Sequence, residues 1–88
     1  MKALLRNKPE RKSLSNFVIS EMTADRCNQC LDHAAQQVID MGRREELFED
    51  PERWIEVMDN GSLMLRVVIS KRVTANIVIQ PEEWTWCN

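Results

Sequence analysis

The residues with the clearest potential for chemistry are Cys27-x-x-Cys30-x-x-His33 and the distant Cys87. Three thiols and an imidazole form a complete ligand set for a structural zinc ion, and Cys-x-x-Cys is a common half-site. Helix geometry works against this. Successive residues turn about 100° and rise about 1.5 Å, so Cys27 and His33 would point about 120° apart and lie about 9 Å apart along the axis. Only Cys27 with Cys30, or Cys30 with His33, could share a metal. All four converge only if residues 27–30 form a knuckle and the helix starts later, and no glycine eases such a turn. The plainer reading makes Cys27 and Cys30 small core hydrophobes and His33 a surface residue. A redox pair would need a helix N-terminus after a strand in a βαβ unit, and a Cys30–His33 dyad lacks an orienting third group. No cofactor is expected, zinc being the one candidate.

A second set is basic. Lys2, Arg6, Lys8, Arg11 and Lys12 stand against Glu10 in the first twelve residues, and Arg66, Lys71 and Arg72 stand without an acid over 61–80. Brought to one side, the arm and the hairpin tip would form a positive patch able to track phosphates. No aromatic residue interleaves with them to stack bases. A solvated tail and a solvated turn are the ordinary alternatives.

A third set suits a protein partner. Trp54, Trp84 and Trp86 are many tryptophans for 88 residues, and tryptophan is enriched where binding energy concentrates. Residues 40–60 hold eight acids against three arginines. Within them Glu49, Asp50 and Glu52 could steer a basic partner. Tryptophans that close the ends of a small core are the competing explanation. Pairing of exposed strand edges would give a homodimer.

These residues need elements to position them. Cys27, Leu31, Ala34, Val38 and Met41 recur at steps of four and three, with Cys30, Ala35 and Ile39 widening the stripe, which predicts a helix over about 23–42. Thr23 is its expected N-cap and Gly42 its C′ residue. Phe17-Val18-Ile19 suggests a strand leading into the helix. After Gly42, a charged segment with Leu47-Phe48 suggests a short helical turn. Asp50-Pro51 resembles a helix start, but WIEVM at 54–58 also fits a strand entering a type I′ turn at Asn60-Gly61, and the strand is preferred. Leu63, Leu65, Val67 and Ile69 alternate with Met64, Arg66, Val68 and Ser70, a clear strand. Lys71-Arg72 marks a turn, residues 73–80 return as a strand with Ile77 and Ile79 on one face, and Pro81 ends it. Trp84 and Trp86 share a side if extended.

The expected architecture is α+β: a two-layer sandwich, one long helix on an antiparallel sheet of three to four strands. Residues 1–14 read as a mobile basic arm and 15–88 as a single domain. The run Ala3-Leu4-Leu5 is too short for a secretory h-region and is followed at once by Arg6. No stretch approaches the roughly 20 apolar residues of a membrane span. Three cysteines do not make a disulfide scaffold, so a reducing cytoplasm is expected. One histidine, no glycine-rich phosphate loop and no nucleophile elbow leave catalysis without a motif. The sequence therefore points to a non-enzymatic module that binds a larger protein, as adaptor, inhibitor or regulator. The alternative is a nucleic-acid-binding regulator using the basic residues.

Overall fold

The computed structural model describes residues 11–87. In chain order these form β1 (Arg11–Lys12), a 3-10 turn (Leu14–Asn16), β2 (Phe17–Ile19), α1 (Glu21–Asp40) and a second 3-10 turn (Arg44–Glu46). Then follow β3 (Leu47–Val57), β4 (Leu63–Ser70), β5 (Thr74–Ile79), a third 3-10 turn (Pro81–Glu83) and β6 (Trp84–Trp86). One antiparallel sheet has the order β1-β3-β4-β5, and β2 pairs with β6 in a second, two-stranded sheet. The α+β sandwich with one helix on a small antiparallel sheet is thus the observed fold. The strand before the helix joins the C-terminal strand rather than the main sheet.

The helix begins earlier than its apolar stripe implies. Ser20, not Thr23, is the N-cap: its backbone is extended and its Oγ accepts from the Thr23 amide at 3.1 Å. Serine supplies the same capping chemistry one turn sooner, and Glu21 then meets the positive end of the helix dipole. Thr23 becomes a buried first-turn residue whose hydroxyl donates to Glu83. The other end is as expected. Gly42, at φ +75°, donates to the Ile39 carbonyl and Arg43 to that of Val38, the paired bonds of a Schellman motif.

Cys27 and Val38 of α1 pack on Leu63, Leu65, Val67 and Ile69 of β4, Ile77 and Ile79 of β5, and Ile55 of β3. Each such side chain stabilises the fold by roughly 1.5–3 kcal/mol when fully buried. The stripe extends through half-buried Leu31 and Ala34, while Cys30 is exposed and Met41 is 58% exposed.

The strand preferred for 54–58 is present in β3, the turn at Lys71-Arg72 lies where expected, and three local features set the register. Asp50-Pro51 does not start a helix; β3 runs through it. Between Leu47, opposite Ser70, and Glu52, opposite Val68, β3 takes five residue steps where β4 takes two. Proline is tolerated inside such a bulge because the ladder is already broken there. Asn60-Gly61 does not form a type I′ turn, because among the described residues only Gly42 and Gly61 have positive φ. Instead Gly61 donates to the Met58 carbonyl and Met58 to that of Ser62, closing a three-residue loop. Asn60 Oδ1 accepts from the Ser62 amide, so its side chain rather than its backbone shapes the loop. At the other hairpin the amides of Ile69 and Ser70 both donate to the Val73 carbonyl, a bulge at the Lys71-Arg72 turn.

Of the basic arm, residues 1–10 lie outside the described residues. Arg11 and Lys12 pair with Glu56 and Ile55, and Leu14 packs on the core. The helix is not long and apolar enough to cross a membrane.

Candidate functional site

Alternation along each strand divides the main sheet into two faces. The inner one lies against α1. Over the outer one no helix or second sheet packs among the described residues. Register places Arg11, Glu56, Met64 and Val78 in one row across it, Trp54, Arg66 and Asn76 in the next, and Glu52, Val68 and Thr74 in a third.

The middle of this face is a connected polar chain. The Trp54 indole donates to Glu56 Oε2 at 2.8 Å, the same oxygen lies 2.8 Å from Arg66 Nε, and the far guanidinium nitrogen of Arg66 donates to Asn76 Oδ1 at 2.8 Å. Although it stands on the open face, Glu56 is only 8% exposed. The indole bond, with help from Arg66, holds its carboxyl below the usual carboxylate range against the opposing effect of burial. The Arg11 guanidinium lies over the Trp54 ring at 3.9 Å from its centroid and 3.8 Å from Glu52.

Of the expected partner-binding residues, Trp54 and Glu52 therefore share this face, and Glu49 and Asp50 project from the adjoining bulge. Trp84 and Trp86 are elsewhere, on β6. With Phe17 they form a three-ring cluster with centroids 5.0–5.4 Å apart. Trp84 donates to the Gly61 carbonyl at 2.9 Å, while Trp86 remains 52% exposed. That strand is tied down by Glu83, which accepts from the Gln80 amide and from Arg26 and Thr23 of α1. The Gln80 amide bond, with Arg26 and Thr23, keeps the Glu83 carboxyl below its ordinary range.

The basic set is not gathered. Lys2, Arg6 and Lys8 lie outside the described residues. Arg11 and Arg66 face carboxylates, and Lys12 stands at the sheet edge opposite Ile55. Lys71 and Arg72 occupy the far end of β4, about seven residues or roughly 23 Å of strand from the Arg11 row, where they line a cleft with Glu45 and Glu46.

Nor do the candidate metal ligands converge. Cys27 and Cys30 lie within α1 rather than in a knuckle, Cys30 and His33 are exposed, and Cys87 follows β6. Among the described residues no cluster of three or more such side chains could hold a metal ion. Burial pushes the Cys27 thiol up, opposite to what an activated nucleophile requires.

Glu56 and Asn76 are not among the residues selected by type and spacing alone. The signal for Glu56 was present: once 54–58 is read as a strand, Glu52, Trp54 and Glu56 fall on one face by alternation. Asn76 depends on the hairpin register, which the bulge at Ser70 sets.

Comparison with family models, curated proteins and solved structures returns no match, so the functional reading rests on fold and surface alone.

Proposed function

We propose that this chain is a non-enzymatic protein-binding module, an adaptor, inhibitor or regulator of a larger assembly, that engages its partner through β3 and the open sheet face around Trp54. The observation that carries this reading is a half-buried tryptophan on the open sheet face, with the exposed Arg11 stacked on it, beside exposed Glu52 and the acidic bulge Glu49-Asp50. A flat aromatic surrounded by carboxylates supplies apolar area for affinity and charge for steering. The nucleic-acid alternative draws on the same strands, but Arg66 is committed to Glu56 and Asn76 and Arg11 to Trp54 and Glu52.

Affinity capture with the tagged full chain, run with and without nuclease, tests the proposal. Capture of a defined protein should survive nuclease and be lost in Trp54→Ala and in Glu49→Lys/Asp50→Lys/Glu52→Lys, with circular dichroism confirming that both fold. Trp86→Ala should leave it intact. Retention that vanishes with nuclease, or that ignores the β3 variants, would overturn the assignment.

A further inference from the structure

We propose that the β3 edge from Glu52 to Glu56 docks an extended peptide strand bearing arginine at alternate positions, and that β1 occupies one end of this site as an intramolecular stand-in. This rests on the protein-binding reading above and specifies the partner's chemistry.

Among the described residues β1 spans Arg11–Lys12. It pairs with Glu56 and Ile55 and stops, because Ser13 turns the chain inward and caps the 3-10 turn beginning at Leu14. From Trp54 back to Glu52, β3 stays in regular register with β4, and no strand pairs with its other edge among the described residues; the 3-10 turn Leu14–Asn16 lies against β3 and would move aside together with β1. A strand entering in the register of β1 and running further would lie opposite Trp54, Arg53 and Glu52. That is recognition by strand addition, in which backbone bonds supply affinity and alternate side chains supply specificity.

The chemistry those alternate side chains need is displayed by the chain itself. Arg11 places its guanidinium on the Trp54 ring with Glu52 beside it. A planar cation is suited to stacking on an indole while facing a carboxylate. The next position on the same face would lie opposite Trp54, within reach of Glu52, and the bulge beyond adds Glu49 and Asp50. A second arginine two residues on would share Glu52 with the first and add Glu49 and Asp50 of the bulge. The present contact is easily exchanged, since the Arg11 and Glu52 side chains are 62% and 69% exposed and such pairs are weak in water. An arm in cis competes at an effective concentration of roughly millimolar, so a partner must displace it.

Fluorescence anisotropy on the full chain tests this, using the labelled octapeptide Ser-Val-Arg-Val-Arg-Val-Ser-Gly and its counterpart with citrulline at both arginine positions. Arg11→Ala should bind the arginine peptide about two- to five-fold more tightly than the parent chain, the factor an exposed cation–π contact is worth. The citrulline peptide should bind at least that much more weakly, and Glu52→Gln should weaken the arginine peptide at low salt. Equal affinity for the parent chain and Arg11→Ala, equal affinity for the two peptides, or no binding up to about 1 mM, the arm's own effective concentration, would overturn the proposal. If the peptides fail while Trp54-dependent capture persists, the protein-binding reading stands and only the strand-docking inference falls. If that capture is also absent, both fall.

Discussion

Replacing Glu56 by alanine removes the acceptor of the Trp54 indole and the counter-ion of Arg66 in one step. The Arg66 Nε atom is shielded from water and makes no well-directed hydrogen bond, so the carboxylate 2.8 Å away is the charge that compensates it, and its loss brings no solvent in return. Breaking a fully buried ion pair costs about 3–5 kcal/mol. The Arg66 side chain is 32% exposed, however, and water reaches its other nitrogens, which lowers the expected cost to about 2–3 kcal/mol. For a domain this small, that is a fall in Tm of roughly 10–20 °C. Arg66→Met should cost about 1–2 kcal/mol, because Glu56 keeps the indole bond. The double replacement Glu56→Leu/Arg66→Met puts apolar volume where the pair stood and should fall within about 1 kcal/mol of the parent. With Glu56→Leu as the matching single variant, expected to cost about the same as Glu56→Ala, the cycle predicts a coupling of at least about 2 kcal/mol. Urea unfolding followed by tryptophan fluorescence measures it, provided the m-value is unchanged among the four proteins. A cost below about 0.5 kcal/mol for Glu56→Ala, or simple additivity in the double variant, would show that the polar chain on the open face is not a coupled unit. A stable double variant that no longer captures a partner would mean the pair is kept for recognition, since the fold does not need it.

Acid should weaken the fold through Glu56 and Glu83. Both carboxyls titrate below the ordinary carboxylate range in the folded chain, so their contribution is complete above the unfolded value of about 4.3 and is lost as pH falls through the depressed folded values. A series of urea midpoints from pH 7 to pH 3 should drop in that window, and Glu83→Gln should flatten the slope. Removing the helix cap with Ser20→Ala should cost about 1 kcal/mol, whereas Thr23→Ala should act through the lost Glu83 contact; helicity and urea midpoints of the two variants distinguish the roles. Alkylation counted by intact mass should modify exposed Cys30 and Cys87 first and Cys27 only on unfolding, because burial both shields that thiol and keeps it protonated.

The open-face site was half legible in the sequence. Trp54 and Glu52 could be selected by residue type and spacing. The attachment of Glu56 to the indole follows from alternation within β3, but that of Arg66 to Glu56 and Asn76 does not, since those contacts cross strands whose register was unknown. The tryptophans looked like one set, yet β6 carries Trp84 and Trp86 to a separate sheet with Phe17. Conversely, Cys27-x-x-Cys30-x-x-His33 has the residue types of a site, but the helix expected from Thr23 already sets them apart, and α1, capped by Ser20, holds them so.

What the sequence determined by itself is periodicity, because burial on one face imposes a period that residue types reveal locally. The helix stripe through Cys27, Leu31, Ala34 and Val38 and the inward set Leu63, Leu65, Val67 and Ile69 follow from it, and the stop at Gly42 follows from the positive φ that glycine accepts there. Register was decided only by the tertiary structure. A two-residue turn at Asn60-Gly61 would have set Ile55 opposite Arg66 and turned β3's apolar residues to the outer face; the three-residue loop ending in Gly61 at φ +87° sets it opposite Leu65. A plain two-residue turn at Lys71-Arg72 would likewise have set Ile77 opposite Arg66, and the bulge at Ser70 restores it to Leu65. A slip of one residue exchanges the faces of a strand. Only packing against α1 chooses between turns that are locally similar, and that choice also assembles Trp54, Arg66 and Asn76 into one row.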